Sequence, residues 1–228
     1  MEWRLNMKPV VVMTQTNDMQ SDLVSIIHKP FIDIKPLNFD IHLLNQRYDW
    51  LIFSSKNAVK FFYKYLKGIN VDNIAVIGSK TAQYCESLGI RVDFMPNDFS
   101  QEGFLKSFNQ TNQKILLPSS ELARPLLLAA LSKDNEVVKI DLYTSVPNKQ
   151  NIQDVKEMIE HQQIDALTFS SSSAVRYYFN EGFVPKFKSY FAIGEQTART
   201  IKSYQQPVTI AEIQTLESLI EKILESRG

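Results

Sequence analysis

The stretch DWLIFSSKNAV, at residues 49–59, returns as DALTFSSSSAV at residues 165–175, an offset of 116. The same offset relates IGSKTA at residues 77–82 to IGEQTA at residues 193–198. A register that is kept across both segments indicates a duplicated supersecondary unit. We therefore expect two similar domains that face one ligand.

Each copy has the same local pattern. A short apolar run ends in hydroxyl residues, and apolar residues at helical spacing follow, which predicts a strand, a tight loop and a helix. Ser55 and Ser171 lie where the N-cap of that helix belongs. In the second half of the copy, a strand leads through Gly78 or Gly194 into another helix. Because helix N-termini attract anions and ligands bind at the carboxyl edge of open parallel sheets, we expect an anion site at this edge of each domain.

The composition excludes several classes of partner. Lysine plus arginine, at 25, balances aspartate plus glutamate, at 25, so the chain has no electrostatic footprint for nucleic acid or an anionic membrane. No stretch approaches the roughly 20 apolar residues of a membrane span, and the N-terminus has no signal-peptide core. The single cysteine, Cys85, excludes an internal disulfide and fits a reducing compartment. We expect a cytoplasmic protein and a monomer, with residues 1–6 as an extension outside the fold.

Strand and helix patterns alternate along the chain, which predicts an α/β protein with mainly parallel sheets. Residues 9–34 read as strand, helix and strand, with Asp18 or Ser21 as the cap of the helix. Residues 114–143 have the same form. The chain therefore has the order A, B, A, B, where A is this strand–helix–strand unit and B is the duplicated unit.

Two assemblies of these units are possible. Either each A packs with the B that follows it, or the middle B and A form one domain while the first A and last B form the other. The second assembly needs two crossings between domains, for which residues 36–40 and 143–147 are suitable. Neither crossing is rich in glycine, so we expect extended, semi-rigid connections.

The strong catalytic motifs are absent, since the sequence has no Walker loop, no dinucleotide-binding glycine triplet, no HExxH and no paired CxxC. His28, His42 and His161 lie far apart, so we interpret them as surface or capping residues and expect no metal site. Ser54 and Ser171 lack a glycine-flanked elbow and a base, so helix capping is preferred over nucleophilic catalysis. A capping hydroxyl can still bind a ligand carboxylate.

Two further side chains have both a functional and a structural interpretation. Arg124 follows a Ser-Ser-Glu loop and could offer a fork to one carboxylate, or it is a solvated first-turn arginine. Tyr143 lies at the second predicted crossing, where its phenol could face a cleft and donate a proton to a leaving hydroxyl. Alternatively, Tyr143 is a hinge aromatic that packs for its area. The residues alone leave these alternatives open.

Five short motifs, in this order, resemble the uroporphyrinogen-III synthase family: FSSKNAV at 53–59, IGSKTA at 77–82, LYTSV at 142–146, TFSSSSAV at 168–175 and AIGEQTA at 192–198. The resemblance implies two similar α/β domains, each a mainly parallel sheet flanked by helices, joined by a two-stranded linker. It therefore selects the second assembly. The implied terminal domain is 7–37 plus 148–228, the middle domain is 41–142, and the linkers are 36–40 and 143–147.

The resemblance also implies an enzyme, a cyclising hydro-lyase of tetrapyrrole and haem biosynthesis. In its reaction hydroxymethylbilane, a linear tetrapyrrole polycarboxylate, loses its terminal hydroxyl as water, and the resulting cation is attacked at the substituted carbon of the last ring. A spiro intermediate then breaks and recloses with that ring inverted, which gives uroporphyrinogen III. The resemblance implies neither a cofactor nor a metal.

Carried over residue by residue, the resemblance implies one catalytic residue and several substrate-binding positions. Tyr143 matches the family's usual candidate for assisting the departure of hydroxide. Asn57 stands where the family often has arginine, which weakens the case for a charged contact there. Together with Arg124, the predicted substrate-binding residues are Ser54, Ser55, Asn57, Thr81, Ser171, Ser173 and Thr197.

Two other functions fit part of the pattern. A non-catalytic two-domain binding protein could close on an anionic metabolite, as duplicated α/β receptors do, but the chain shows no secretion signal. An enzyme that handles phosphorylated sugars would need a base or a histidine near the loops, and the sequence has neither there.

Overall fold

A computed structural model describes residues 8–227, and these residues form two compact units. Unit 1 comprises the described residues up to Asp33 and those from Val146 onward, and unit 2 comprises Ile34–Ser145. The chain therefore passes twice from one unit to the other. Met7, the predicted start of the terminal domain, lies outside the described residues, as do the predicted extension at residues 1–6 and the last residue, Gly228.

Strands and helices alternate in both units. The strands are β1 (Val10–Met13), β2 (Ser25–His28), β3 (Ile32–Pro36), β4 (Arg47–Phe53), β5 (Asn70–Val76), β6 (Lys114–Ser120), β7 (Glu136–Pro147), β8 (Ala166–Phe169), β9 (Tyr190–Ala192) and β10 (Thr209–Ile210). The α-helices are α1 (Lys56–Phe62), α2 (Ser79–Ser87), α3 (Gln101–Ser107), α4 (Leu126–Leu131), α5 (Lys149–Glu160), α6 (Ser172–Asn180), α7 (Glu195–Ser203) and α8 (Leu216–Glu225). Two 3₁₀-helices span Ile41–Asn45 and Tyr63–Gly68.

Each unit is built on one mainly parallel sheet flanked by helices, which confirms the predicted fold class. The strand order is β10-β9-β8-β1-β2 in unit 1 and β3-β7-β6-β4-β5 in unit 2. The duplicated stretch supplies β4 and β8, which lie inside their sheets. Leu167 and Phe169 of β8 pack in one core cluster and Ala166 packs in another, because successive side chains of a strand point to opposite faces.

The two sheets share one topology. In unit 1, β8 lies between β9 and β1, and in unit 2, β4 lies between β5 and β6. The register agrees as well, because Ala166 pairs with Val11, and Trp50, the counterpart of Ala166, pairs with Ile115. Where unit 1 has β10 beside β9, unit 2 has a single parallel bridge at Ala75. The duplication in the sequence is therefore a duplication of the sheet.

The strand β3, which lies beside β7 at the edge of its sheet, has no counterpart in the described part of unit 1. The two strands run antiparallel: the Leu37 N–H donates to the Leu142 carbonyl (3.0 Å), and the Asn148 N–H donates to the Phe31 carbonyl (2.9 Å). Both strands contain a point where the chain passes between units. Residues 143–147, which the sequence suggested as a linker, continue β7, and β3 ends where the other suggested linker begins.

Hydroxyl side chains cap four of the helices in residues 8–227. Ser55 caps α1 and Ser171 caps α6, as predicted, and each accepts a hydrogen bond from the backbone N–H three residues further on. Ser100 and Thr215 cap α3 and α8 in the same way. These hydroxyls satisfy N–H groups that have no partner inside their own helix.

The helix predicted between residues 18 and 27 is wrong. Asp18 and Ser21 accept hydrogen bonds from the nearby N–H groups of Met19 (2.8 Å) and Leu23 (3.1 Å) instead of capping a helix. Such local bonds compete with helix formation. The β-branched residues that follow form β2, which pairs with β1. A tertiary contact therefore decided the conformation of this segment.

Candidate functional site

In unit 1, the loops that follow β8 and β9 lie at one edge of the sheet, because these neighbouring strands are parallel. Ser171 has an extended conformation and caps α6 by accepting a hydrogen bond from the Ala174 N–H (3.2 Å). Gly194 takes the corresponding place before α7. The first turns of two helices therefore open at the carboxyl edge of this sheet.

This edge of unit 1 contains a pocket of about 420 Å³, which we call the serine pocket. The predicted residues Ser171, Ser173 and Thr197 all line it. Its other lining residues are Ser170, Ser172, Arg176, Ile193, Gly194, Gln196 and Gln214. The walls thus combine hydroxyl and amide groups with one guanidinium, and they include no acidic side chain. Such walls offer hydrogen-bond donors to an anion.

Hydrogen bonds hold the walls of the serine pocket together. The Ser172 hydroxyl donates to the Gln196 carbonyl (3.2 Å) and accepts from the Thr200 hydroxyl (2.9 Å). These bonds join the first turn of α6 to α7. Thr197 is 5 % exposed, so only a small part of its side chain reaches the surface.

In unit 2, the equivalent edge is organised around Ser55. Its hydroxyl accepts a hydrogen bond from the Ala58 N–H (3.2 Å) as the cap of α1, and it lies 2.9 Å from the Tyr143 hydroxyl. Tyr143 is 7 % exposed, and its ring stacks on Phe61 with 5.4 Å between centroids. The phenol of Tyr143 is therefore held beside the start of α1.

The surroundings of Tyr143 keep its phenol protonated. Burial raises the pKa of Tyr143 above its ordinary value, and the hydrogen bond with Ser55 partly opposes that rise. Burial has this effect because it disfavours the charged phenolate. At neutral pH the group can act as an acid or as a hydrogen-bond donor, but not as a base.

A second cavity in unit 2, of about 230 Å³, brings Ser54 and Arg124 together. Its apolar lining comes from Leu117, Leu127 and Leu128, with Ala123 and Pro125. Its polar lining comes from Gln101, Ser119, Glu121 and Lys139, besides Ser54 and Arg124. Ser55, Asn57 and Thr81 do not line this cavity. The predicted residues of unit 2 are thus divided between two places, unlike those of unit 1.

Arg124 already holds a carboxylate in this structure. Its two terminal nitrogens donate to the two carboxylate oxygens of Glu102, at 3.1 and 3.4 Å. The Glu102 backbone N–H and Arg124 lower the pKa of that carboxyl. A ligand carboxylate would have to replace Glu102, so the fork predicted from the sequence exists but is occupied by a residue of the same unit.

Asn57 and Thr81 lie in the first turns of α1 and α2. Asn57 is half-buried, and Thr81 is 5 % exposed, with its N–H donating to the Gly78 carbonyl (3.0 Å). No hydrogen bond of either side chain to another described residue is present.

The cavity-lining residues that the sequence analysis did not propose as site residues include Gln101, Lys139, Arg176, Gln196 and Gln214. Arg176 had a usable signal, because the offset of the duplication places it over Lys60, another cation. The side-chain oxygen of Gln101 is buried and has no hydrogen-bond partner within residues 8–227. In the same part of the chain, no group of His, Cys, Asp or Glu could hold a metal ion, and no helix is long and apolar enough to cross a membrane.

Comparisons with known proteins agree with one another. The family model described as "Uroporphyrinogen-III synthase HemD" matches residues 22–221. The "Porphyrin biosynthesis protein HemD" of Ruminiclostridium josui is 27% identical over 225 residues, covering 89% of this chain, which spans 44% of that relative's length. The "Putative uroporphyrinogen-III synthase" of Methanocaldococcus jannaschii is 29% identical over 238 residues, covering 93% of this chain and 97% of the relative.

Solved structures show the same fold. The uroporphyrinogen-III synthetase from Helicobacter pylori aligns with a TM-score of 0.65 at 17% sequence identity, covering 96% of this chain and 100% of that one. A mutant uroporphyrinogen III synthase from Thermus thermophilus aligns with a TM-score of 0.57 at 17% identity, covering 89% of this chain and 88% of that one.

Proposed function

Because the chain belongs to the uroporphyrinogen-III synthase family, an enzyme family of haem biosynthesis, we propose that it closes hydroxymethylbilane to uroporphyrinogen III with inversion of the last pyrrole ring and loss of water. The alternative, a non-catalytic protein that binds an anionic metabolite, is not favoured by these relatives. We further propose that the protein acts in the cytoplasm as a monomer, without nucleic acid or membrane partners. Its functional domains would be residues 7–37 plus 148–228, and 41–142.

One observation carries the proposal for the substrate. Each unit ends, at the carboxyl edge of its sheet, in hydroxyl-rich loops that lead into helices, and every ring of a linear tetrapyrrole of this kind carries carboxylates. Hydroxyl and N–H donors bind carboxylates without neutralising them, and such charge-assisted bonds contribute about 1.5–3 kcal/mol each. Several such bonds, spread over two edges, suit a wide polyanion.

The proposed binding residues divide between the units. In unit 1, Ser171, Ser173 and Thr197 would bind carboxylates in the serine pocket, where their positions support this role. In unit 2, Ser54, Ser55, Asn57, Thr81 and Arg124 would do so. For Arg124 the proposal requires that the substrate carboxylate replaces Glu102.

Tyr143 is the proposed acid. The bond between the terminal carbon and its hydroxyl breaks, the electron pair stays on the oxygen, and a proton from the Tyr143 phenol completes the water that leaves. Burial raises the pKa of Tyr143, so the phenol holds its proton at neutral pH and the proton is available to be donated. The proton passes to the leaving oxygen directly or through the Ser55 hydroxyl, which is 2.9 Å away. The phenolate then regains, directly or through water, the proton that the last ring releases when the macrocycle closes.

Positioning would supply much of the remaining rate. The cation left on the terminal carbon must meet the substituted carbon of the last ring, and an enzyme that folds the linear chain brings these atoms together. Holding two reacting centres in one molecule in the correct geometry can lower a barrier by several kcal/mol. No side-chain base is needed for this step, which agrees with a serine pocket whose walls include no acidic side chain.

The test is an assay of the purified protein with hydroxymethylbilane, in which the products are oxidised and the type I and type III isomers are separated. Spontaneous closure gives type I, so a dominant type III product supports the proposal. Formation of type I alone, at the uncatalysed rate, would contradict it, and a thermal-shift screen of anionic metabolites would then test the binding alternative.

A further inference from the structure

Arg176 differs from four other arginines of the described residues in having no ion pair there. Four arginines pair with a carboxylate in the described residues: Arg47 with Asp72, Arg91 with Asp93, Arg124 with Glu102 and Arg199 with Glu195. Arg176 has neither an ion pair nor a side-chain hydrogen bond to another residue in 8–227. The positions three and four residues away along α6 are Ser172, Ser173, Phe179 and Asn180, so the helix itself offers no acidic partner.

Arg176 is one of the residues that line the serine pocket. Arg176 is exposed and lines the pocket together with serine and threonine hydroxyls and the amides of Gln196 and Gln214. Since no acidic side chain lines these walls, the guanidinium is the one formal charge among them. A planar guanidinium beside neutral donors matches a carboxylate, which it can bind through two parallel N–H bonds.

One wall of the serine pocket depends on a close approach to Gly194. A Cβ atom at Gly194 would lie 2.9 Å from Cδ of Gln214, so glycine leaves room for the Gln214 amide. Gln214 directly precedes Thr215, which caps α8 by accepting from the Ser218 N–H (3.1 Å). The wall is therefore attached to the start of α8.

The other copy of the repeat has a cation at the position that corresponds to Arg176, but it has no side chain packed against its loop glycine. Lys60 is the counterpart of Arg176. At Gly78, the counterpart of Gly194, an added Cβ would meet nothing within 4 Å. The close approach of a glutamine side chain to this glycine is thus a property of unit 1, and the duplication alone does not account for it.

We propose that Arg176 is a further substrate-binding residue, which holds one carboxylate of the linear tetrapyrrole in the serine pocket, beside Thr197 and against the Gln214 wall. The identity of the substrate rests on the proposed function. The contact between Arg176 and a carboxylate does not, because it can be measured by binding alone.

The first experiment measures the Kd of uroporphyrin III, a stable octacarboxylate, from the quenching of its fluorescence. We expect Arg176→Ala to bind about tenfold more weakly, as loss of one exposed charge-assisted pair predicts. The Kd of Arg176→Lys should lie between those of the wild type and of Arg176→Ala, because lysine keeps the positive charge but cannot donate two parallel hydrogen bonds to a carboxylate. Arg199→Ala is the matched control, an arginine of the same unit outside the pocket, and should stay within about twofold of the wild type.

Two outcomes overturn the proposal: an unchanged Kd in Arg176→Ala, or no binding of uroporphyrin III by the wild type. The affinity of the wild type should also fall more steeply with added salt than that of Arg176→Ala, since the variant lacks one charge contact. Thermal unfolding of each variant shows that a change in Kd does not come from misfolding. An exposed side chain without a partner should leave the unfolding temperature unchanged.

The second experiment separates this inference from the proposed function. With hydroxymethylbilane as substrate, Arg176→Ala should raise KM about tenfold and leave kcat nearly unchanged, as expected for a contact made equally in the ground and transition states. A lowered kcat at constant KM would overturn the binding role. If the wild type makes no type III isomer, the proposed function fails, and the Kd values still decide whether Arg176 binds a carboxylate.

Discussion

The carboxyl edges of the two sheets are built on one repeat, but they differ in whether the arginine that lines the cavity has an ion-pair partner within residues 8–227. In unit 1, Arg176 faces a pocket whose walls have no acidic side chain. In unit 2, Arg124 is paired with Glu102, and the phenol of Tyr143 lies 2.9 Å from the cap Ser55. The two edges share their strand–loop–helix pattern, and the roles proposed above assign anion binding to a few side chains of one copy and proton donation to a few of the other.

The largest expected effect comes from Tyr143, which has the proposed acid role in unit 2. Tyr143→Phe should lower kcat by about ten- to a hundredfold without abolishing activity, because positioning of the substrate remains. Tyr48→Phe is the control, since that buried phenol also loses a hydrogen bond, to the Leu43 carbonyl (2.6 Å). The measurement is steady-state turnover with separation of the isomers. Full activity of Tyr143→Phe would contradict the acid role of Tyr143, and with it the proposal that unit 2 supplies the proton donor.

The two helix caps offer a matched pair. Ser55→Ala and Ser171→Ala should each lower the free energy of unfolding by about 1 kcal/mol, because each removes one N-cap hydrogen bond. Only Ser55→Ala should also lower kcat, because only Ser55 contacts a tyrosine hydroxyl. Urea unfolding and turnover are measured on both variants. Equal losses of kcat would mean that both hydroxyls act in the same way, and the contrast between the edges would then be lost.

The two loop glycines sharpen the comparison further. Gly194→Ala should weaken the binding of uroporphyrin III by about threefold, because the new methyl group displaces the end of the Gln214 side chain, a shift that costs less than about 1 kcal/mol. Gly78→Ala should change it by less than about twofold, since nothing lies within 4 Å of the added atom. Gly194 and Gly78 have φ values of −170° and −124°, which any residue can adopt. Neither substitution therefore strains the backbone, and a difference in Kd reports the contact with Gln214. Equal Kd values for the two variants would contradict the role of the wall.

The smallest effect at neutral pH should come from Tyr178, in the core of unit 1. Its hydroxyl is buried and has no hydrogen bond of good geometry within residues 8–227, so Tyr178→Phe should change the free energy of unfolding by less than about 0.5 kcal/mol at pH 7. Burial raises the pKa of Tyr178, so the folded protein holds this proton more tightly than the unfolded chain. Stability is therefore complete below about pH 10, the ordinary value, and declines above it. Unfolding at about pH 7 and about pH 10.5 should show a smaller alkaline decline in the variant.

The general architecture was accessible from the sequence because the relevant signals are local or periodic. The alternation of apolar and helical patterns predicted a parallel α/β fold, and the hydroxyl residues after each apolar run predicted the caps Ser55 and Ser171. The fixed offset of the repeat indicated that the two sheets are alike. Each of these inferences depends on residues within one or two elements.

The contacts that distinguish the two edges were not accessible, because they join residues distant in the chain. The Ser55–Tyr143 pair spans 88 positions, and the Arg124–Glu102 pair spans 22. The segment after Asp18 was wrongly predicted as a helix. The strand that forms there instead, β2, depends on its pairing with β1, which is a tertiary contact. Local patterns contain no information about such partners, although the offset of the repeat did place Arg176 over Lys60.

The double passage of the chain between units has a consequence for synthesis on the ribosome. Unit 2 is one continuous segment, so all its strands are synthesised before the second part of unit 1 is made. In unit 1, β1 pairs with β8, as in the contact of Val12 with Leu167, so the nascent strand must wait for a partner made much later. Distant pairings of this kind slow folding. The strand β1 is thus expected to stay accessible to chaperones and proteases for longer than the strands of unit 2.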